Sequence, residues 1–211
     1  LPYFLGLMEH MAARGLDCPE AVARLRDLLT DSVALRLRSD VPVGSCLSGG
    51  LDSSTIVALV RRRLAPDQPY HVFTGRFPGT SADEGPRVEA TLAVTGALPH
   101  AVAPTARGFV DDLPAFAWAN ELPVASTSQY AQYCVFRLAA RHGVTVLLDG
   151  QGADEILGGY EQYFRAYLAS LPPARRRAEA GRIRARYPLA LPTPRQRLGA
   201  LLPAGTRRAL A

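Results

Sequence analysis

A chain of 211 residues that is 48% hydrophobic and 20% charged can bury one sizeable core, and with no run near the ~18 apolar residues of a bilayer span it is expected to be soluble, without a membrane partner. Its net charge of +5 does not point to nucleic acid: residues 1–170 carry 14 Arg against 18 Asp plus Glu (−4), whereas residues 171–211 carry ten Arg against Glu179 alone (+9). That basic tail, with Arg175, Arg176, Arg177, Arg182, Arg184 and Arg186, gives a base only Tyr187 to stack on, and reads as a solvated helical face. Cys18, Cys46 and Cys134 form no CxxC pair and read as buried small side chains in a reducing compartment, expected to be the cytoplasm.

In chain order, Val22, Leu25, Leu29, Val33 and Leu37 recur at spacings of three and four, which predicts an amphipathic helix over 20–37 before Pro42. A short apolar strand follows over 43–47. Ile56, Val57, Val60 and Leu64 then share one face of a helix that stops at Ala65-Pro66-Asp67. Residues 71–75 read as a second strand, 83–94 as a crossover helix and 98–102 as a weak third strand. Helices are expected over 109–118 and 129–141, with a loop over 123–128, and the strongest strand signal is the apolar, β-branched run 144–148. His10, His71, His100 and His142 read as scattered, without ligand spacing. Alternating strands and helices predict an α/β fold, a parallel sheet with helices on both faces, followed by a basic helical tail. In such a sheet a ligand binds beyond the carboxyl ends of the strands, where strand order switches.

Ser48-Gly49-Gly50-Leu51-Asp52-Ser53-Ser54 lies between the first strand and its helix. Two glycines let the backbone approach a ligand closely, Ser53 and Ser54 can cap, and a helix N-terminus presents amide donors to an anion. A carboxylate inside a phosphate cradle is repulsive unless a cation lies between them, so Asp52 suggests Mg²⁺ on a polyphosphate. The G-x-x-x-x-G-K-[ST] loop is excluded, because all 24 basic residues are arginine. After the last strand comes Asp149-Gly150-Gln151-Gly152-Ala153-Asp154-Glu155, continuing to Gly158-Gly159-Tyr160. It reads either as a surface turn whose acids favour a helix N-terminus, or as the carrier of a second carboxylate, Asp154, sharing the ion with Asp52.

These two motifs, with Asp40-Val41-Pro42-Val43-Gly44 before the first and Phe73-Thr74 and Asp83-Glu84 between them, closely resemble the synthetase domain of glutamine-dependent asparagine synthetases over about residues 20–165. The resemblance implies a Rossmann-like fold of the adenine nucleotide alpha hydrolase type, with ATP and Mg²⁺. The implied reaction adenylates a carboxylate, aspartate in the parent family, releasing pyrophosphate before ammonia forms the amide. By position, Ser48, Gly49, Gly50, Ser53 and Ser54 would hold pyrophosphate, and Asp52 and Asp154 the metal. Leu47, Gly75, Asp149 and Gly150 would contact adenosine, while Asp52, Asp154, Gln151 and Glu155 would make up the catalytic group.

Three departures accompany the resemblance. Gln151 stands where many members have Glu, and an amide is not a base. Asp149 stands where serine is common. The family's glutaminase domain and a later lysine are absent from these residues. Leu1 is not a start methionine, so the chain is expected to be a piece: 1–19 a lead-in from an upstream glutaminase domain that supplies ammonia, 20–170 the synthetase domain, 171–211 an Arg-rich helical segment. Glu121, in Asn120-Glu121-Leu122-Pro123, aligns loosely with a substrate loop, although the hydroxyls at 126–128 suit a helix cap. A homodimer is an allowed assembly and nucleic acid is not expected; the rival readings are first a specialised relative, such as a β-lactam synthetase, a lasso-peptide cyclase or a secondary-metabolite amidotransferase, then an RNA-modifying enzyme and a non-catalytic ATP-binding domain.

Overall fold

A computed structural model of the chain describes residues 19–124, 126–160 and 163–187. The segment 1–18 and the last 24 residues of the tail therefore lie outside the described residues, as do His10 and Cys18. The chain divides into two compact units, one ending at Gly150 and one starting at Gln151.

The first unit runs α1 (Pro19–Arg36), β1 (Val43–Cys46), α2 (Leu51–Arg61), β2 (His71–Gly75), α3 (Gly85–Thr95), β3 (Leu98–Val102), α4 (Ala106–Asn120), α5 (Thr127–Arg141) and β4 (Val146–Leu148). Its four strands form a parallel sheet in the order β3-β2-β1-β4. The chain thus builds outward from β1 to β3, then returns to the other side of β1. Ser45 pairs in register with Val72 and Leu148, and these face Val33 of α1, Val57 and Val60 of α2 and Val88 of α3. Cys46 pairs with Phe73, and that face packs on Val135, Leu138 and Ala139 of α5. Alternation along the strand puts one helical layer on each face, as the sequence predicts.

Where observed limits differ from the expected ones, local hydrogen bonds give the reason. Thr105 accepts from Gly108 N at 3.0 Å and starts α4 three residues early. Ser126 accepts from Ser128 N while its own N–H donates to Gln129 Oε1, so α5 opens on a capping box. β4 is shorter than its apolar run because Val144 N donates back to Ala139 O at the end of α5. The two helices are joined by Asp112, which accepts from both Arg137 guanidinium nitrogens at 2.7 Å and from Tyr130 Oη at 2.8 Å. Phe109, Phe116 and Tyr130 pack edge to face beneath it. Inside the sheet, Ser45 Oγ and Tyr70 Oη share a buried hydrogen bond of 2.6 Å, and burial pushes the Tyr70 hydroxyl up to about 12.

The second unit holds α6 (Ala153–Leu157), α7 (Tyr163–Ser170) and α8 (Pro173–Arg186), the last two joined through Leu168 and Ile183. Arg175–Arg177, Arg182 and Arg184 lie on α8, where the basic tail is expected to be helical. Among the described residues no helix is long and apolar enough to cross a membrane.

Three histidines that read as scattered in sequence come together. His71 Nδ1 lies 2.8 Å from His100 Nε2, the His100 and His142 rings are 3.9 Å apart, and Phe73 stacks on His100 at 4.9 Å. Strand alternation supplies the first two side chains to the α5 face, and the C-terminus of α5 supplies the third. Among the described residues, no group of three His, Cys, Asp or Glu side chains is spaced to hold a metal. Burial, then the neighbouring His142 and His71, hold the His100 imidazolium below its usual range. The unfolded chain therefore binds more protons here, and this contribution to stability is complete above about pH 6.5 and is lost as pH falls below it. We expect the melting temperature of the full chain to fall between about pH 7.5 and about pH 5.5, and a His100→Asn variant to show a shallower fall. Equal slopes for the two proteins would contradict a His100 imidazolium held below its usual range.

Candidate active site

At the carboxyl end of β1, Leu47 continues the strand by donating to Phe73 O at 2.9 Å, and its own carbonyl accepts from Thr74 Oγ1 at 2.7 Å. The chain then turns through Ser48, Gly49 and Gly50 into α2. Gly49 has φ +82°, and a Cβ there would stand 2.9 Å from Arg87 Cβ, 3.0 Å from Val88 N and 3.1 Å from Glu84 O. Both the left-handed backbone and the packing against α3 exclude a side chain. Gly50 is the N-cap of α2 and makes no side-chain cap, so the positive dipole end of that first turn lies directly behind the glycine turn.

Ser53 serves the loop instead of capping the helix. Its Oγ accepts from Ser48 N at 3.2 Å, lies 3.0 Å from Ser48 Oγ and donates to Gly50 O at 3.3 Å, which makes Ser48 the donor between the two hydroxyls. Gly50 N donates to Ser48 Oγ at 3.2 Å. Ser54 Oγ shares a 3.0 Å hydrogen bond with Thr91 Oγ1 and so fixes α3 beside α2. The expected capping role of Ser53 and Ser54 is thereby corrected: one pins the turn and the other ties two helices.

The loop after β4 closes on the same place. A Cβ at Gly150 would lie 3.0 Å from Asp52 Cβ and from Ser53 N, so only glycine lets this backbone meet the first turn of α2. Asp149 precedes it, next in register to Cys46. Burial chiefly, and then the Asp149 charge and hydrogen bond, push the Cys46 thiol well up, which keeps it protonated and inert. At the end of β2, Gly75 has open room: its Cβ would find only Val135 at 3.6 Å and Phe77 at 4.0 Å. Packing does not demand glycine there, so the space fits a ligand's close approach.

Leu47, Ser48, Gly49, Gly50, Asp52, Ser53, Ser54, Gly75, Asp149 and Gly150 thus sit at the carboxyl ends of three neighbouring strands. Strand order reverses here, between β2-β1 and β1-β4, which is where an open α/β sheet binds ligands. The donors are backbone amides, hydroxyls and a helix N-terminus, a set that suits an anion. Absent from the sequence reading is the first turn of α3 behind Gly49; its signal is Glu84-Gly85-Pro86, with proline near the start of a helix.

The remaining expected site residues belong to the second unit. Gln151 is exposed in the turn that opens it. Asp154 and Glu155 lie in the first turn of α6, between Gly152 (φ +92°) and Gly158 (φ +71°). Tyr160 Oη donates to Glu155 Oε1 at 2.8 Å, and Gly159 N donates to Asp154 O at 3.0 Å, with Gly159 packed against the Asp154 carboxylate. Glu121, in the first unit, closes α4 with φ +59°, its N–H donating to Ala117 O.

The chain is similar to proteins of known family. The family model described as asparagine synthase matches residues 24–208. A putative glutamine-hydrolysing asparagine synthetase 2 of Methanocaldococcus jannaschii is 37% identical over 151 residues, covering 72% of this chain and 29% of that protein. The glutamine-hydrolysing asparagine synthetase 1 of Bacillus subtilis is 35% identical over 142 residues, 67% of this chain and 22% of its own length. A putative counterpart from Mycobacterium bovis is 39% identical over 136 residues, 64% and 20% respectively. The chain spans less than a third of the length of these relatives. With its parallel α/β sheet, its glycine-bound loop at the switch point and a family match across most of its residues, this chain belongs to the asparagine synthase family.

Proposed function

We propose that the chain is the synthetase part of an enzyme that uses ATP to activate a carboxylate for amide formation. A substrate carboxylate oxygen attacks the α-phosphorus, the α–β phosphoanhydride bond breaks, and pyrophosphate leaves. Ammonia then attacks the acyl carbon, AMP departs with the C–O bonding pair, and the nitrogen loses a proton. The observation that carries this reading is the uncapped N-terminus of α2 behind Gly49, at the switch point of the sheet. Such a site contributes mainly through position and charge.

Ser48, Gly49, Gly50, Ser53 and Ser54 would hold the pyrophosphate through amides and hydroxyls. Leu47, Gly75, Asp149 and Gly150 would form the adenosine wall, largely through backbone. Asp52 and Asp154 offer carboxylate oxygens, the donor type that suits Mg²⁺, which when bound neutralises phosphate charge. Their meeting on one ion is part of the proposal, as is the catalytic grouping of Gln151 and Glu155 with them. The synthetase domain would extend over 20–170, with 1–19 leading in from a glutaminase domain that delivers ammonia and 171–211 beginning the next part. The names of the relatives support aspartate as substrate and glutamine as the ammonia source. Homodimerisation and a cytoplasmic setting belong to the same proposal.

Gln151 favours a second reading, that of a specialised relative acting on another acid, because an amide cannot take a proton as the family's glutamate would. ATP–pyrophosphate exchange by the full-length protein, run with aspartate and then with a panel of other carboxylic acids, tests both. Exchange that needs aspartate supports the first reading, and exchange that needs another acid supports the second. ATP binding without exchange under any acid contradicts both.

Asp52→Asn and Asp154→Asn are each expected to reduce exchange by about 100-fold or more, with the melting temperature nearly unchanged. Normal exchange in either variant would contradict the shared ion. Restoring the acid with Gln151→Glu is expected to raise asparagine formation, measured by amino-acid analysis. No gain there, together with loss of activity on another acid, would move the assignment to the specialised relative.

A further inference from the structure

Two arginines flank the loop that leads into α3, and they are held very differently. Arg76 donates through Nε and an Nη to both oxygens of Asp83 at 2.8 and 2.9 Å, and a Cβ on Gly85 would run into its guanidinium. That pairing, with Phe77 N also donating to Asp83, holds the Asp83 carboxyl down at about 2. Arg76 is a fixed structural brace.

The Arg87 guanidinium donates to Glu84 at 2.8 Å, one helical turn away on the same rim, and 70% of its side chain is exposed. Its Cβ is the atom nearest to the position a Cβ would take on Gly49, so the side chain starts against the cradle while its guanidinium is exposed. Thr91 fixes the backbone from which it starts: its Oγ1 shares a hydrogen bond with Ser54 Oγ and donates to Arg87 O at 3.1 Å, so α2 and α3 are held side by side. An exposed i,i+3 ion pair contributes little to stability and exchanges readily. A guanidinium pairs better with a multiply charged phosphate, through two parallel N–H donors, than with one carboxylate.

We infer that Arg87 is a phosphate-binding side chain of this site, parked on Glu84 in the free protein and transferred to the terminal phosphates of the nucleotide, or to the pyrophosphate it becomes. This rests on the reading of the loop as a polyphosphate cradle. Every basic side chain of these 211 residues apart from histidine is an arginine, and Arg87 starts at the edge of the cradle. Glu84 then acts as a competitor for the same cation.

The test is calorimetric binding of magnesium pyrophosphate, and separately of AMP, to the full-length protein. Arg87→Ala is expected to weaken pyrophosphate binding by about tenfold and to leave AMP binding unchanged, since AMP lacks the terminal phosphates. Arg87→Lys should recover part of the loss, and Glu84→Gln should tighten pyrophosphate binding. If Arg87→Ala and Glu84→Gln both bind pyrophosphate as the unaltered protein does, the role of Arg87 is overturned and the cradle stands. If the unaltered protein binds neither ATP nor pyrophosphate, the cradle falls and Arg87 with it.

Discussion

Two backbone approaches that admit no Cβ hold this site together. Gly49 is pressed against the first turn of α3, meeting Arg87 Cβ, Val88 N and Glu84 O, and Gly150 against the first turn of α2, meeting Asp52 Cβ and Ser53 N. Because these atoms are backbone or Cβ and belong to helix ends, a side chain at either glycine would have to displace one of them. The left-handed φ of Gly49 adds a second reason, since an L side chain pays roughly 1 kcal/mol or more to adopt it. The rest of the architecture depends on that closure: β1 must end where the turn can form, and α3 must reach it.

Packing supplies the rigid frame. Leu47, Val57, Val60, Val72 and Phe73 are all but inaccessible, and they fix β1, β2 and α2 relative to each other. Buried apolar side chains of this size each contribute about 1.5–3 kcal/mol, which gives the loop above them a fixed base. The buried hydroxyls beneath the loop are satisfied: Thr74 donates to Leu47 O, Ser45 pairs with Tyr70, and Ser53 serves Ser48 and Gly50. The turn is held by hydroxyl hydrogen bonds of 3.0–3.3 Å among Ser48, Gly50 and Ser53. Cys46 and Asp149 illustrate the same economy, a protonated thiol giving a carboxylate a partner at the end of β1.

Much of this was legible in the amino-acid order. Strand β2 and strand β3 run over the expected residues, and the loop at Ser48 lies between strand and helix where its glycines and serines put it. Helix starts were less legible, because Thr105 and Ser126 act through single hydrogen bonds that a hydrophobic period does not encode. The roles of Ser53 and Ser54 depended on which neighbour each hydroxyl meets, Ser48 in one case and Thr91 in the other. The histidine cluster was illegible for a stronger reason: its members lie 29 and 42 positions apart in sequence and meet only through strand pairing and the end of α5. Arg87 was hidden likewise, since nothing near Gly49 in sequence announces which helix packs on it.

The central claim is that this site cleaves ATP between its α- and β-phosphates. ³¹P NMR of ATP turned over by the full-length protein, with glutamine and its acid substrate, observes that bond directly. The account predicts AMP and pyrophosphate in equal amounts; ADP and orthophosphate as the products would contradict it.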